Sequence, residues 1–294
     1  MVTPLLTQEK LDEPGLERLV DRLLQGGVHG IFTLGTTGEG PSLDADLKRR
    51  LIKRSVELAG GKIPVLVGIS DASFTESLRL SDYAASCGAS AVVLAPPFYF
   101  PLGQDEFLEY LEHLARKLPL PLMLYNMPSM TKIHLEPETI RQALEIPGIV
   151  GLKDSSGNMV YFHKIRQLLG KKIQEVSLLI GPEELLAEAV LAGADGGVTG
   201  GANIAPSLYV QLYEAACRQD MTSVLSLHGK VMKLGQLLYG VGRHGSSSIK
   251  GIKCALNCLG VCHDLVAEPF SPFSPSERAI IAQGVEQLRK EIDL

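Results

Sequence analysis

The chain has 294 residues, of which 21% are charged and 45% are hydrophobic, and its formal net charge is −5. This composition is typical of globular proteins and excludes disordered, collagen-like and disulfide-scaffold classes. The small excess of 33 acidic over 28 basic residues gives no electrostatic reason to expect nucleic acid or an anionic membrane as a partner.

The first twenty residues contain four acidic side chains and lack the basic and then apolar order of a secretory signal. The uncharged stretch at 89–104 is interrupted by three prolines and is too short to span a bilayer. The five cysteines follow no disulfide framework, which fits a reducing compartment. We therefore expect a cytoplasmic protein.

Short, continuously apolar runs predict parallel strands that are covered on both faces. In chain order these runs are 30–34, 65–69, 91–94, 122–125, 149–153, 176–180 and 196–199. The spacing leaves room for one crossover helix between successive strands. Residues 1–5, counted as a shortened first strand, bring the total to eight units, and we expect the given chain to start slightly after the beginning of that strand.

Amphipathic segments between the runs predict helices at 43–60, 74–87 and 183–192 and a further helix that starts at Pro137. Beyond residue 205, helices are expected at 207–218, 223–239, 248–259 and 276–292. The alternation predicts an α/β fold, a closed (β/α)8 TIM barrel. An open doubly wound sheet is less favoured, because no glycine-rich phosphate turn follows a strand. We predict a catalytic barrel over 1–220 and a C-terminal helical extension over 221–294, packed as one structural unit.

Active sites of such barrels lie at the carboxyl ends of the strands. The polar residues expected there are Thr36, Thr37, Glu39, Tyr125, Asn126, Lys153 and Asp154. Lys153 would enter the barrel mouth among apolar neighbours, where desolvation favours a neutral amine that can attack a ketone and form an imine. Its position equally allows an ordinary ion pair with Glu39 or Asp154.

Two other features at the strand ends also have two interpretations. Tyr125 is either a proton relay or a core aromatic residue with a satisfied hydroxyl group. The segment 35–38 either presents backbone N–H groups to a carboxylate or makes a tight turn.

Taken together in this order, three short motifs resemble the dihydrodipicolinate synthase / N-acetylneuraminate lyase family. In chain order the motifs are Gly35-Thr36-Thr37-Gly38-Glu39, Tyr125-Asn126-x-Pro128 and Gly151-Leu152-Lys153-Asp154. The resemblance extends from residue 2 to about residue 260 and includes the segment 192–197 that leads into the last strand. Members of this family are class I, Schiff-base-forming pyruvate aldolases and synthases on a (β/α)8 barrel.

The resemblance implies a role for each matching residue. Lys153 would form the imine with the keto carbon of pyruvate or a related substrate, and Tyr125 would act as general acid and base. Thr36 would hydrogen-bond Tyr125, and Thr37, in the loop that begins at Gly35, would hold the carboxylate. Apart from the covalent imine, no metal or organic cofactor is expected.

Further implications concern the last strand and the assembly. Val198 lies where the family contacts pyruvate through its backbone. The family relay often includes a second tyrosine, lent by a neighbouring subunit from the loop that is 95–101 here, and either Phe98 or Tyr99 could fill that position. The resemblance also implies a homo-oligomer, with a tetramer built from dimers as the family pattern.

One departure from the family pattern bears on the substrate. Dihydrodipicolinate synthases carry an arginine that binds the carboxylate of the aldehyde partner, whereas this chain has Met130 there and Lys132 where glycine is common. Methionine cannot bind a carboxylate. We therefore expect a lyase whose substrate is a 2-oxo acid such as a 2-keto-3-deoxy sugar acid or N-acetylneuraminate. It would cleave this acid to pyruvate and an aldehyde, or form it by condensing the two.

Alternative functions remain open at this stage. The chain could be a true dihydrodipicolinate synthase (4-hydroxy-tetrahydrodipicolinate synthase) despite Met130, or a barrel that binds a keto acid without turnover. A third alternative is a phosphate-binding enzyme that uses the glycine-rich segment 196–201. The polar loop 242–246 is predicted to be a surface loop. The stripe Cys254, Cys258 and Cys262 is predicted to be packed core on one helix instead of a zinc site.

Overall fold

The computed structural model describes residues 1–294 and contains nine strands and twelve α-helices. The strands are β1 (Leu5–Thr7), β2 (Lys10–Leu11), β3 (Ile31–Thr33), β4 (Val65–Gly68), β5 (Ala91–Leu94), β6 (Leu122–Asn126), β7 (Ile149–Asp154), β8 (Ser177–Ile180) and β9 (Gly196–Gly197). The helices are α1 (Glu13–Gln25), α2 (Ala45–Ala59), α3 (Phe74–Cys87), α4 (Gln104–Ala115), α5 (Pro128–Thr131), α6 (Pro137–Ala143), α7 (Met159–Leu169), α8 (Leu186–Leu191), α9 (Pro206–Cys217), α10 (Met221–Leu238), α11 (Ser247–Cys258) and α12 (Pro275–Leu288).

The chain divides into two compact units. The first unit comprises Met1–Val65 and Gly200–Leu294, and the second comprises Leu66–Thr199. The first contains the hairpin β1–β2, strand β3 and helices α1, α2 and α9–α12. The second contains β4 except for its first residue, strands β5–β9 and helices α3–α8.

Short polar residues at the helix starts explain where several helices begin. The Asp12 carboxylate accepts a hydrogen bond from the backbone N–H of Gly15 at the start of α1, at 3.0 Å. The Asp44 carboxylate accepts one from Leu47 at the start of α2, at 2.7 Å. These contacts satisfy N–H groups that have no partner within the helix. At the other end, α2 stops at Gly60, which has a left-handed φ of 58°.

The predicted strands are confirmed from β3 to β9. The sheet order of these seven strands follows their chain order, and each neighbouring pair from β4 to β9 runs parallel. Most apolar residues of the strands are buried on both faces, as expected for a parallel sheet covered by helices, and Val150 of β7 is an exposed exception. A parallel sheet of this order with intervening helices is TIM-barrel-like, while closure into an eight-stranded barrel stays a prediction.

The predicted first strand at residues 1–5 is wrong. Leu5–Thr7 instead pairs antiparallel with Lys10–Leu11 in a short hairpin. The N–H of Val2 donates to the side chain of Asn203 at 2.9 Å, and Pro4 has no N–H to donate. The segment therefore lacks the donors of a regular ladder and is held by single contacts.

The C-terminal helices expected from the sequence are present as α9–α12, all within the first unit. The predicted boundary between residues 220 and 221 stays a prediction. The prediction that the three cysteines lie on one helix is only partly confirmed, because α11 ends at Cys258 and Cys262 lies beyond it. Cys254 and Cys262 are buried, while Cys258 is exposed. None of the helices combines the length and the apolar character that crossing a membrane requires.

Candidate active site

Tyr125 and Lys153 lie side by side at the carboxyl ends of β6 and β7. They are direct partners in the parallel register, so their side chains project from the same face of the sheet. Nζ of Lys153 lies 4.1 Å from the centroid of the Tyr125 ring. Lys153 is 7% exposed and Tyr125 is 5% exposed. The fold thus brings an amine and a phenol together in a largely desolvated place.

The next two residues, Asn126 and Asp154, form a second pair on the opposite face. Nδ2 of Asn126 donates to Oδ1 of Asp154 at 2.8 Å, and Oδ1 of Asn126 accepts the N–H of Leu135 at 3.3 Å. The Asp154 carboxylate also accepts the N–H of Ser156 at 3.1 Å and its hydroxyl at 2.8 Å. Both side chains are buried. This face of the strand ends is therefore a closed hydrogen-bonded cluster.

Burial controls the titration of this cluster. Burial raises the pKa of the Asp154 carboxyl group, against the opposing effect of its hydrogen bonds from Asn126 and Ser156. The nearby Tyr161 hydroxyl donates to the carbonyl oxygen of Leu135 at 2.7 Å, and burial raises the pKa of Tyr161 as well. The carboxylate of Asp154 thus has its own partners on the face opposite to Lys153.

Glu39, the other carboxylate considered as a partner for Lys153, forms its ion pair elsewhere. Its Oε2 lies 2.5 Å from Nζ of Lys253 in α11, and both side chains are fully buried. Oε1 accepts the N–H of Ala267 at 2.7 Å, and Lys253 also donates to the carbonyl oxygen of Leu265 at 2.6 Å. Burial lowers the pKa of Lys253, and the charge of Glu39 opposes that shift.

Sequence reasoning missed Lys253, although a signal for it exists. Lys253 shares its helix face with Ile249, Ile252 and Leu256, which are all buried. This spacing is that of an apolar stripe facing a core. A lysine inside such a stripe predicts a buried carboxylate partner, because an unpaired charge there would be costly.

In the first unit, the segment after β3 forms a tight turn, one of the two predicted interpretations. The N–H of Gly38 donates to the carbonyl oxygen of Gly35 at 3.0 Å, and the N–H of Glu39 donates to the carbonyl oxygen of Thr36 at 3.0 Å. Leu34 and Glu39, at the two ends of the turn, have left-handed φ values of 60° and 55°. Such conformations are unfavourable for residues other than glycine and often occur at functional sites.

Thr36 and Thr37 are half-buried on this turn and belong to the first unit, whereas Tyr125 and Lys153 belong to the second. The predicted contact of Thr36 with Tyr125 stays a prediction, as does the predicted role of Thr37 and Gly35 in binding a carboxylate.

Val198 follows directly after β9 in the second unit. Its N–H donates to the carbonyl oxygen of Ile180 at 2.8 Å, so this donor is already used within the sheet. A backbone contact of Val198 with a ligand would therefore be made by its carbonyl group. That contact stays a prediction.

The aromatic loop after β5 is strongly exposed. Phe98 is 45% exposed, and Tyr99 and Phe100 are each 74% exposed. The rings of Tyr99 and Phe100 pack edge to face, with centroids 5.1 Å apart. The assignment of Tyr99 or Phe98 to a relay with a neighbouring subunit stays a prediction.

Lys132 and Met130 lie at the short helix that follows Tyr125. Lys132 ends α5 with a left-handed φ of 62°, and its Nζ donates to the carbonyl oxygen of Ser129 at 2.6 Å. Its side chain thus closes the helix end. Met130 is 48% exposed. In the predicted surface loop 242–246, residues 242–245 are exposed as expected, whereas Ser246 is buried.

Comparison with known proteins finds similar proteins over almost the whole chain. The family model described as the dihydrodipicolinate synthetase family matches residues 1–288. The solved structure of dihydrodipicolinate synthase from Bacteroides thetaiotaomicron is 51% identical, with a TM-score of 0.94, and the match covers 98% of this chain and 96% of that chain.

Two curated relatives show the range of similar proteins. The 4-hydroxy-tetrahydrodipicolinate synthase of Methanopyrus kandleri is 35% identical over 99% of this chain and 93% of its own length. The probable 2-dehydro-3-deoxy-D-pentonate aldolase YjhH of Escherichia coli is 30% identical over 85% of this chain and 82% of its own length. The similar proteins therefore include both a synthase and an aldolase.

Proposed function

The chain belongs to the dihydrodipicolinate synthetase family, and we propose that it cleaves or condenses a 2-oxo acid through an imine on Lys153. Proteins of this family are class I lyases and aldolases, so the chain is an enzyme of that class. The observation that carries the proposal is the buried pair of Lys153 and Tyr125, with Nζ 4.1 Å from the ring centroid.

The chemistry begins with attack of the neutral Lys153 amine on the keto carbon, which forms a carbinolamine. An acid protonates its hydroxyl group, which leaves as water and gives the protonated imine. In the cleavage direction, the bond between the third and fourth carbons breaks and its electron pair moves towards the imine to form the double bond of an enamine, while a base removes the proton of the hydroxyl group on the fourth carbon. The products are an aldehyde and an enamine, which takes up a proton and is hydrolysed to pyruvate and free Lys153.

Tyr125 is the group next to Nζ that can move these protons. Its phenol can donate a proton to the departing hydroxyl of the carbinolamine, and the resulting phenolate can accept the proton released on C–C cleavage. Thr36 as a hydrogen-bond partner of Tyr125, and Thr37, Gly35 and Val198 as contacts of the substrate carboxylate, complete the proposal as the family resemblance implies.

Met130 supports a sugar-acid substrate over the substrate of the synthase. An arginine would bind an aldehyde carboxylate with paired, charge-assisted hydrogen bonds, and the thioether of Met130 cannot. Lys132 is not a substitute for it, because it closes the end of α5. The high identity to the Bacteroides synthase keeps the synthase as the second candidate.

Borohydride reduction in the presence of pyruvate, followed by peptide mass mapping, tests the proposal. A reduced pyruvate adduct on Lys153 in the wild-type chain, absent from Lys153→Ala, is the expected result. A panel of 2-keto-3-deoxy sugar acids, N-acetylneuraminate and aspartate semialdehyde with pyruvate then separates aldolase from synthase. A folded wild-type chain that forms no adduct would contradict the imine and favour a barrel that binds without turnover.

A further inference from the structure

Strands β6 and β7 do not keep one register along their length. Leu122 opposes Ile149, but the next residue, Met123, opposes Gly151, so Val150 is an extra residue in β7. Such a bulge shifts the pairing by one position. The register at the carboxyl end, where Tyr125 opposes Lys153, is therefore not set by the pairing at the start of the strands.

The alternative register would remove the active-site pair. Without the shift, Leu152 would oppose Tyr125, and Lys153 would oppose Asn126. Since neighbouring residues of a strand point to opposite faces, Lys153 would then project from the face that Tyr125 does not use. The apolar run 149–152 does not choose between the registers, because apolar residues suit both faces of a buried strand.

Asn126 and Asp154 favour the observed register. We propose that their hydrogen bond is a positioning device that locks the carboxyl ends of β6 and β7 in register and so holds Lys153 beside the Tyr125 ring. This inference rests on the proposed function of Lys153. The two residues lie on the face of the strands opposite to the amine and the ring and act through the strands that carry them.

The hydrogen bonds around the pair are specific for the observed register. The Leu135 N–H fixes Oδ1 of Asn126 as an acceptor, which turns Nδ2 towards Asp154. The Asp154 carboxylate accepts two further hydrogen bonds, both from Ser156. A slip by one residue would separate a buried amide from a buried carboxylate, which is costly because neither would regain its partners from water.

A swap of the two side chains tests the inference. Asn126→Asp alone would place two carboxylates 2.8 Å apart and remove the donor. In the double variant Asn126→Asp with Asp154→Asn, the amide and the carboxylate exchange places, and the amide can again donate between the strands. Asp154→Asn alone keeps an oxygen that can accept from Asn126.

We expect Asn126→Asp to slow borohydride trapping of pyruvate on Lys153 by up to about 100-fold, as for a displaced reacting group. The double variant and Asp154→Asn are expected to trap at a rate close to the wild type. Asp195→Ala is the control, because it removes a part-buried hydrogen bond to the N–H of Leu178 in the same unit, and neither residue is a partner of Asn126, Asp154 or Leu135. It should lower the melting temperature without slowing the trapping.

The outcomes separate this inference from the proposed function. Wild-type trapping on Lys153 with equal trapping in Asn126→Asp would overturn the positioning role alone. The role is also overturned if the folded double variant traps as slowly as Asn126→Asp, or if Asp195→Ala slows trapping as much at a similar melting temperature. If the wild-type chain itself forms no adduct, the proposed function fails, and the positioning role fails with it.

Discussion

Nζ of Lys153 lies over the face of the Tyr125 ring, 4.1 Å from its centroid. The face of an aromatic ring carries partial negative charge and attracts a cation. The ring therefore lies where it would stabilise the positive charge of a protonated imine on Lys153, while the hydroxyl group of the same residue would move protons. The two contributions of Tyr125 can be separated by mutation.

Tyr125→Phe keeps the ring and removes only the hydroxyl group. We expect the turnover number to fall by roughly 10²–10⁴, the usual contribution of a general acid and base. The measurement is the steady-state rate of cleavage of the best substrate from the panel, with Lys153→Ala as the inactive reference. A folded Tyr125→Phe variant with an unchanged rate would remove the proton-relay assignment.

Met130→Arg tests the basis of substrate choice. Because Met130 is 48% exposed, a longer side chain can be accommodated there without disturbing a core. A hydrogen bond to a charged group contributes about 1.5–3 kcal/mol, so we expect KM for an aldehyde that bears a carboxylate to fall roughly 10-fold or more. Met130→Leu is the matched control and should leave that KM unchanged. An equal change in both variants would contradict the assignment.

The strands at the centre of the chain could be predicted closely from the sequence. The expected run 91–94 coincides with β5, and the run 122–125 differs from β6 by one residue. Continuous apolar runs have few interpretations other than covered strands, which explains this agreement. The hairpin Leu5–Thr7 with Lys10–Leu11 was not predicted, because its strands are too short to show a hydrophobic period.

The candidate site was predictable as a set of residues but not as an arrangement. The apolar side chains before Lys153 suit either register, and Gly151, which follows the bulge at Val150, is the only residue of the run that hints at an irregular strand. The pairing of Glu39 with Lys253 joins residues 214 positions apart, and nothing local to Glu39 identifies its partner. Long-range contacts of this kind depend on how the elements pack, and that packing cannot be derived from the sequence pattern of a single segment.

The buried ion pair of Glu39 and Lys253 gives a prediction about stability. Glu39→Gln or Lys253→Met alone would leave one buried charge without its partner, and we expect each to lower the free energy of unfolding by about 3–5 kcal/mol. The double variant should lose much less than the sum, because no uncompensated charge remains. Urea denaturation of the wild type and the three variants measures the coupling between the two sites.

An exposed ion pair provides the control for that cycle. Arg141 and Glu138 are 36% and 50% exposed, and we expect Glu138→Gln to have little effect on the urea midpoint. Additive losses in the Glu39 and Lys253 variants would contradict the coupling and indicate that each side chain is held by its other hydrogen bonds alone.

Asp154 gives a prediction about pH, because burial raises its pKa in the folded chain. The folded state therefore binds this proton more tightly than the unfolded state, whose value lies near 3.8. The stability that the proton contributes is complete below that value and is lost as the pH rises through the folded pKa. Asp154→Asn cannot titrate and keeps an acceptor for Asn126, so its free energy of unfolding should increase relative to the wild type as the pH is raised from about 3.8 to neutrality. Urea denaturation of both proteins over this range measures the two free energies of unfolding. If the variant's value minus the wild-type value stays constant or shrinks with rising pH, burial does not raise the pKa of this carboxyl group.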